Sequence, residues 1–341
     1  MQNSHICFAF DIKPHFDSLL HARQLPAFIL SDPEAVEILE NERTRYQVTF
    51  TVSNPEPVDG IISVNFRTRG GGPGERRRMF FQGGSAPDTE YQRFISIRGG
   101  ETKEIGVVLD DRPGAMTVDT FISLNIPSVI EKNMGRIERD ENTEPFDGER
   151  ITDLPVTSVE PGEIVVNNED PGFEIQSVTT DSFVKQLLNK NNIEEEDYIG
   201  LRFWNMPRRW RTTTNSSFYG TYRRSAHFIR AGKGENMVVW NAGIPVSGQY
   251  SVYCYVPQIQ QPRGRRRRDG GERQNSVQDF HFTIRHDDGA EKIEFDASGA
   301  QEGWNLLGTY YFSEGQAAIE LTDESDGRMV YADAVKFTLK E

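Results

Sequence analysis

The sequence predicts an all-β protein made of two β-sandwich domains, the first immunoglobulin-like and the second jelly-roll-like, with one short helical insertion. Segments with an apolar residue at every second position recur at short intervals along most of the chain, as in sandwiches. Turn residues separate these segments, and the chain contains 30 glycines and 17 prolines. A length of 341 residues suits two domains that each bury a core of their own.

Composition changes along the chain and predicts the domain boundaries. Residues 1–24 are a residual upstream segment, whose abrupt start suggests a piece cut from a larger exported protein. Residues 25–136 form the immunoglobulin-like domain. Residues 137–162 are acidic and interrupted by prolines, so we expect a linker that buries little apolar surface. Residues 163–341 form the second sandwich.

The clearest strand of the first domain is RYQVTFTV. Its Tyr46, Val48, Phe50 and Val52 fall on one face and its polar residues on the other, which indicates a half-buried strand. The stretch SNPEPVDG then supplies two prolines and an Asp-Gly pair, and IISVNFRT follows. We therefore expect RYQVTFTV and IISVNFRT to pair as a hairpin.

The second domain begins with the helical insertion and continues with strands. Residues 181–196, DSFVKQLLNKNNIEEE, carry a capping residue and an apolar stripe at helical spacing. Short strand segments follow, ending with RMVYADAVKFTL. In SVYCYV the alternation places Cys254 on the core face, where we expect a small buried hydrophobe rather than a nucleophile.

Two of the closing strands contain residues that we expect to be structural. In WNLLGTYYF the alternation puts Trp304 and Leu306 on one face with Tyr310 and Phe312. Gly308 lies on the same face, and its missing side chain leaves room for a neighbouring strand or ring.

In the last segment, Asp333 falls on an otherwise apolar face. A carboxylate there costs several kcal/mol unless it has partners, so we expect it to accept bonds from backbone N–H groups or a nearby Arg or Tyr.

Charge excludes two classes of partner. The net charge is −14 at pH 7, so the overall field repels nucleic acid and anionic membranes. The run PRGRRRRDGGER, residues 262–273, is a local exception. Its default interpretation is a solvated loop, with an acidic polysaccharide as the alternative because arginine forks match carboxylates.

The motifs of common catalytic sites are absent from the sequence. It contains no HExxH, GxSxG or CxxC pattern and no phosphate-binding loop. His281 and His286, with Asp287 and Asp288, resemble a metal cluster in composition, but HDDG fits a hairpin turn with Gly289 at positive φ. We therefore predict no catalytic residue, no metal ligand and no cofactor.

A sugar-binding surface on a β-sandwich needs exposed aromatic rings with hydrogen-bonding side chains beside them. The aperiodic segment FWNMPRRWRTTTNSSFYGTY has this composition. The candidate ligand-binding residues are Trp204, Trp210, Tyr219, Tyr222, Arg208 and Arg211. Tyr253 and Tyr255 are further aromatic candidates. The alternative is that the two tryptophans cover the open edge of the sandwich, since large aromatics are mostly buried.

The second domain resembles a known module. The ordered segments GEIVVNNEDPGFE, SFYGTYRRSAHFIRAGKG, VVWNAGIPVSGQYSVYCYVP, WNLLGTYYF and YADAVKF resemble the C-terminal module of golvesins and xanthan lyases. That module is described as carbohydrate-binding-like, and it is typically attached to larger secreted or surface proteins of bacteria. The helical insertion near 178–200 and the long basic loop between Tyr255 and Val277 depart from the compact pattern.

The resemblance and the residues together lead to an expectation about function. We expect a non-catalytic accessory region of a larger bacterial surface or secreted protein that binds glycans or acts as a scaffold. One alternative is the accessory tail of a polysaccharide lyase or peptidase whose catalytic domain lies upstream, and another is a protein–protein adhesion module. The expected partners are polysaccharides or cell-surface glycans and neighbouring domains. The expected location is extracellular, cell-surface or periplasmic, without membrane insertion.

Overall fold

The fold is described from a computed structural model of the chain. The structure describes residues 24–40, 43–68, 91–140, 142–153, 162–177, 206–257, 259 and 277–340. Every regular element in these ranges is a strand, which confirms the all-β class. The predicted helix over 181–196 and the basic run over 262–273 lie outside the described residues, as does residue 204. Contacts divide the chain into two units, Met1–Ser158 and Val159–Glu341.

The described residues of the first unit contain ten strands. They are β1 (Ile29–Leu30), β2 (Glu34–Glu40), β3 (Arg43–Ser53), β4 (Gly60–Thr68), β5 (Tyr91–Ile97), β6 (Thr102–Leu109), β7 (Pro113–Asp119), β8 (Val129–Asn133), β9 (Glu138–Arg139) and β10 (Gly148–Ile151). One sheet has the order β10-β6-β3-β2-β9, with β1 also paired to β3, and the other has the order β5-β4-β7-β8. Apolar side chains from both sheets share one core, so this unit is a sandwich.

The predicted hairpin between β3 and β4 is wrong. The alternation in β3 is as expected, because Val48, Phe50 and Val52 are buried in the core. However, β3 pairs with β6 and β2, whereas β4 pairs with β5 and β7 in the other sheet. The connection therefore crosses between sheets. Buried Asn54 holds it, because its Nδ2 donates to the carbonyl of Val58 at 2.7 Å.

Part of the predicted linker belongs to the first unit instead. Strand β9 pairs in parallel with β2, and β10 pairs with β6. Gln47 holds the connection between them, since its amide donates to the carbonyl of Phe146 at 2.8 Å and accepts the N–H of Phe146 at 2.7 Å. The ring of Phe146 occupies the space where a side chain at Gly106 would lie. The guanidinium of Arg150 covers that ring at 3.9 Å from its centroid. The acidic, proline-containing composition of residues 137–162 does not predict these contacts, because they depend on residues from other strands.

In the second unit, the part of the chain that the structure describes contains twelve strands. They are β11 (Glu163–Asn167), β12 (Phe173–Ser177), β13 (Arg211–Thr214), β14 (Ser225–Arg230), β15 (Asn236–Ile244), β16 (Gly248–Val256), β17 (Asp279–His286), β18 (Gly289–Asp296), β19 (Gly303–Phe312), β20 (Gly315–Thr322), β21 (Met329–Ala332) and β22 (Ala334–Leu339). They form sheets of the orders β11-β22-β16-β19, β12-β15-β20-β17-β18 and β13-β14-β21 around one shared core.

The last predicted strand is interrupted at Asp333. Strand β21 pairs with β14, and β22 pairs with β11 and β16, so the chain changes sheets at this residue. A single alternation through RMVYADAVKFTL therefore does not apply: Val330, Ala332 and Ala334 are buried as well as Met329. Residues at this change of sheet are covered from both sides, since every residue from 329 to 335, including Asp333, is buried.

Candidate functional site

A β-bulge in β19 decides which aromatic rings face away from the core. Along the β16–β19 pair, Val252 lies opposite Gly308, but the next residue of β16, Tyr253, lies opposite Leu306. Leu307 is thus the extra residue of a bulge, which shifts the alternation of the strand by one position.

The bulge corrects the predicted face of Trp304 and Leu306. Trp304 lies opposite Tyr255, and Leu306 lies opposite Tyr253, both of which alternate with buried Cys254. Trp304 and Leu306 therefore point to the outer side of the sheet, and Leu306 is 55% exposed. Tyr310 and Phe312, beyond the bulge, remain in the core. Strict alternation along one strand cannot locate a bulge, and it therefore predicts that Trp304 and Leu306 share a face with Tyr310 and Phe312.

Three half-buried aromatic side chains meet on this outer side, and we call Tyr219, Tyr255 and Trp304 the aromatic cluster. The ring centroid of Trp304 lies 5.1 Å from that of Tyr219 and 5.2 Å from that of Tyr255. The two tyrosine centroids are 5.5 Å apart. The rings are tilted or edge-on, with interplanar angles of 58° to 83°, which is the favourable geometry for aromatic contacts.

An ion pair lies beside the aromatic cluster. Lys336, on β22, lies opposite Tyr253, and its Nζ is 5.3 Å from the centroid of that ring and 5.1 Å from the centroid of Trp304. The same ammonium donates to Oε1 of Glu163 at 2.6 Å. The charge is thus held by two ring faces and one carboxylate. This surface therefore combines apolar ring area with one donor group and one acceptor group.

The carboxyl group of Asp333 holds the loop that carries Tyr219. The backbone N–H of Tyr219 donates to Oδ2 of Asp333 at 3.1 Å, and the Asp333 side chain is buried. Burial raises the pKa of Asp333 well above its ordinary value, and the Tyr219 N–H and the charge of Arg224 offset this only in part. The indole N–H of Trp240 donates to the backbone carbonyl of Asp333 at 3.4 Å.

Other contacts fix the same loop before and after Tyr219. Phe218 is fully buried, and its ring lies 6.1 Å from that of Tyr331. Arg224, which is also buried, donates from Nη1 to the carbonyl of Ser216 at 3.3 Å. Gly220 has a φ of 146°, and a Cβ there would meet the carbonyl oxygen of Arg223 at 1.8 Å. The position of Tyr219 is therefore fixed by buried neighbours on both sides.

The other residues of the predicted binding segment differ from Tyr219 and from one another in how exposed they are. Trp210 is 6% exposed and belongs to the core of the second unit. Arg208 is exposed, whereas Arg211 and Tyr222 are half-buried. Trp204 lies outside the described residues. Of the predicted candidates, the structure brings Tyr219 and Tyr255 into ring contact with each other and with Trp304, to which the sequence pattern assigns a structural role.

A cavity opens at the end of the unit where β16 ends and β19 begins. It has a volume of about 230 Å³ and is lined largely by apolar side chains, with Ser298 and Glu302 as polar members. Glu302 precedes Gly303, which lies opposite Val256, so the cavity is one residue pair from Trp304 and Tyr255. The aromatic cluster and the cavity thus share one end of the β16–β19 pair.

Burial keeps Cys254 and His227 uncharged at neutral pH, and Asp287 belongs to a turn. Cys254 is 3% exposed, and burial raises the pKa of its thiol to about 12, so the sulfur stays protonated at neutral pH. Burial lowers the pKa of His227 to about 4, so its imidazole is neutral. At the HDDG turn, Gly289 has a φ of 130°, and Asp287 accepts the backbone N–H of Ser313 at 3.0 Å. His227 and Asp287 thus have structural partners, Thr212 and Ser313 respectively.

Comparisons with solved structures show weak similarities. A xanthan lyase from Paenibacillus is 17% identical with a TM-score of 0.36, over 94% of this chain and 26% of its own. A GH26-CBM35 β-(1,4)-mannanase from Podospora anserina is 12% identical with a TM-score of 0.25, over 50% of this chain and 28% of its own. An exo-β-1,3-galactanase from Phanerochaete chrysosporium, solved with galactose, is 8% identical with a TM-score of 0.29, over 90% of this chain and 68% of its own.

The chain therefore spans about a quarter of the length of that xanthan lyase. No curated protein matches the chain significantly. In the described residues, no helix is long and apolar enough to cross a membrane. The model of the Golvesin C-terminal domain matches residues 204–339, within the second unit, and this match confirms the predicted resemblance to a golvesin-type module for that part of the chain.

Proposed function

We propose that the second unit is a non-catalytic glycan-binding module of a larger bacterial secreted or surface protein, and that the aromatic cluster is its binding surface. The observation that supports the proposal most directly is the bulge at Leu307, because it turns Trp304 outward to meet Tyr255 and Tyr219. Without the bulge, alternation would direct Trp304 to the side of Cys254.

The surface has the chemistry that a sugar ring requires. A pyranose presents C–H groups on its faces, which pack on aromatic rings, and hydroxyl groups at its rim, which need hydrogen-bond partners. The rings of Trp304 and Tyr255 supply the apolar area. Lys336 and Glu163 lie beside these rings and supply a charged donor and a charged acceptor for hydroxyl groups.

The preferred ligands of this surface are neutral sugars. The ammonium of Lys336 already has a carboxylate partner at 2.6 Å, so the pair has no net charge to offer an acidic sugar. Binding of a uronic acid would require Lys336 to exchange Glu163 for the ligand. The resemblance to a golvesin-type module supports the rest of the proposal, in which the module attaches to glycans outside the cell while neighbouring domains of a longer protein carry other activities.

Affinity electrophoresis of the full chain in gels that contain neutral or acidic polysaccharides tests the proposal. We expect retardation by at least one neutral polysaccharide, and Trp304→Ala and Tyr255→Ala should each weaken it at least tenfold. Tyr311→Ala is a matched control, because Tyr311 is 40% exposed on the same strand and the same outer side, roughly 20 Å further along. Absence of retardation by every polysaccharide, or equal loss in the Tyr311 variant, would contradict a binding role and leave a scaffold.

A further inference from the structure

A mixed set of metal-binding side chains lies on the outer face of the β17–β18 hairpin, away from the aromatic cluster. It consists of Asp279, His281 and Glu294, each of which offers one ligand atom, and these atoms all lie within 4.8 Å of one another. In the part of the chain that the structure describes, no other three His, Cys, Asp or Glu side chains lie so close together.

Strand register explains why these three side chains meet. His281 lies directly opposite Glu294 in the antiparallel pair, so both side chains are on the same face. Asp279 is two residues before His281 and shares that face, whereas Phe280 and Phe282 point into the core. The set is therefore produced by the regular backbone of two paired strands.

Asp279 is fixed in place before any ligand binds. It is 7% exposed, and its Oδ1 accepts the backbone N–H of Asp326 at 2.8 Å and the hydroxyl of Ser325 at 3.1 Å. Its other oxygen, Oδ2, lies 2.7 Å from Nε2 of His281. One oxygen thus orients the carboxylate, and the other faces the imidazole and Glu294. Such support of a ligand by further hydrogen bonds is typical of metal sites.

The donor set selects the class of metal. One imidazole nitrogen with two carboxylate oxygens suits Zn²⁺ and related divalent transition metals, whereas Ca²⁺ and Mg²⁺ prefer oxygen ligands alone. Bonds of about 2.0–2.1 Å at a tetrahedral angle separate two ligand atoms by roughly 3.3 Å. His281 and Asp279 would have to move apart by roughly 0.6 Å to reach that separation. Glu294 is exposed and free to approach.

We propose that Asp279, His281 and Glu294 bind one Zn²⁺ ion, with water completing the coordination. The ion would join β17 to β18, which is the last strand of its sheet and is exposed over most of its length. Through Asp279 it would also join the hairpin to the segment containing Ser325 and Asp326. A metal bridge of this kind protects an edge strand from opening.

Calorimetric titration of the chelator-treated full chain, without a histidine tag, tests the proposal. We expect one equivalent of Zn²⁺ to bind with a rise in the melting temperature, and Co²⁺ to give the visible absorption of a tetrahedral site. His281→Gln and Glu294→Gln should each weaken binding at least tenfold. Glu235→Gln, which changes an exposed carboxylate outside the set, should bind as the unchanged protein does.

The alternative is that His281 and Asp279 form an ion pair and nothing more. In that case the titrations of the His281 and Glu294 variants would superimpose on that of the unchanged protein, or no Zn²⁺ would bind, and either result would overturn the proposal. A response to Ca²⁺ that is lost in the Glu294 variant and kept in the His281 variant would also overturn it. If His281→Gln fails to fold, Glu294→Gln decides the matter, because Glu294 is exposed.

Discussion

The backbone N–H of Tyr219 donates a hydrogen bond to Oδ2 of Asp333 at 3.1 Å, between residues that are 114 positions apart in the sequence. This contact links the point where the chain changes sheets to the loop that supplies one ring of the aromatic cluster. Asp333 is only 3% exposed, so the bond lies in a setting where a lost partner is costly. The position of a proposed binding residue thus depends on a buried carboxyl group of the scaffold.

Replacing Asp333 tests this dependence. Asp333→Ala leaves the Tyr219 N–H without its acceptor, so we expect a loss of about 1–3 kcal/mol in the free energy of unfolding at neutral pH. Asp333→Asn keeps an oxygen that can accept the same bond and should retain more stability than the alanine variant. Urea unfolding measures both differences. Equal stability of the two variants would show that the bond to Tyr219 contributes little.

Ionisation of Asp333 should make the free energy of unfolding depend on pH. Because burial raises its pKa well above 3.8, the folded protein keeps this proton to a higher pH than the unfolded chain does. The protonated Asp333 side chain therefore contributes stability that is fully present below the pKa of Asp333 in the unfolded chain. This contribution is lost as the pH rises towards the pKa of Asp333 in the folded protein. Asp333→Asn has no proton to lose, so its stability relative to the unchanged protein should increase as the pH rises from about 4.

Denaturant unfolding at a series of pH values between about 4 and 8 checks this, with the difference between the two proteins as the measured quantity. Taking the difference removes the contributions of every other titrating group. A difference that stays constant over the range would contradict the raised pKa.

His227 should give a pH dependence of the opposite sign. Burial lowers its pKa from 6.5 to about 4, and its Nε2 lies 3.0 Å from Oγ1 of Thr212. The neutral imidazole therefore contributes stability that is present above pH 6.5 and is lost as the pH falls towards 4. This difference in pKa corresponds to about 3 kcal/mol.

His227→Gln removes the titration while keeping a polar side chain opposite Thr212. Relative to this variant, the unchanged protein should lose about 3 kcal/mol of stability between pH 7 and pH 4. Urea unfolding at those two pH values measures the loss. Parallel losses in both proteins would show that His227 is protonated in the folded state without penalty.

The sequence predicted what depends on local alternation and missed what depends on pairing between distant residues. The faces of β3 and β16 follow directly from period two, and Val252 and Cys254 are buried as that period requires. The expectation that Asp333 needs a polar partner came from the same pattern. The same pattern does not predict that Tyr219 is the donor, because Tyr219 lies on a loop whose sequence has no regular alternation. No local rule connects a loop residue to a carboxylate 114 positions later.

The outward turn of Trp304 was missed for a related reason. A bulge is a property of two paired strands, since it is defined by two residues opposite one, and the sequence of β19 alone contains no mark for it. Alternation without a bulge predicts that Trp304 lies on the core side of the sheet. The strands of the predicted linker were missed because their stability comes from Gln47 and Phe146, which belong to contacts across the sheet.

Gly308 offers a final test, because its missing side chain gives space to Tyr310. A Cβ at residue 308 would lie 2.3 Å from the hydroxyl oxygen of Tyr310 and 2.6 Å from the ring carbon that bears it. Tyr310 is 7% exposed, and its ring centroid lies 4.9 Å from that of His286. The Tyr310 ring therefore has little room to move away. Gly308→Ala should therefore lower the free energy of unfolding by about 1–3 kcal/mol through overpacking.

Gly243→Ala is the matched control for this substitution. Gly243 also lies within a strand of the second unit, but a Cβ there meets nothing within 4 Å. The control should change stability by less than about 0.5 kcal/mol, since it adds a methyl group in open space. Because both changes add the same group to an extended backbone, the difference between them isolates the contact with Tyr310. If the two variants unfold at the same urea concentration, the Tyr310 ring yields to the added methyl group, and close packing at Gly308 is not what requires a glycine there.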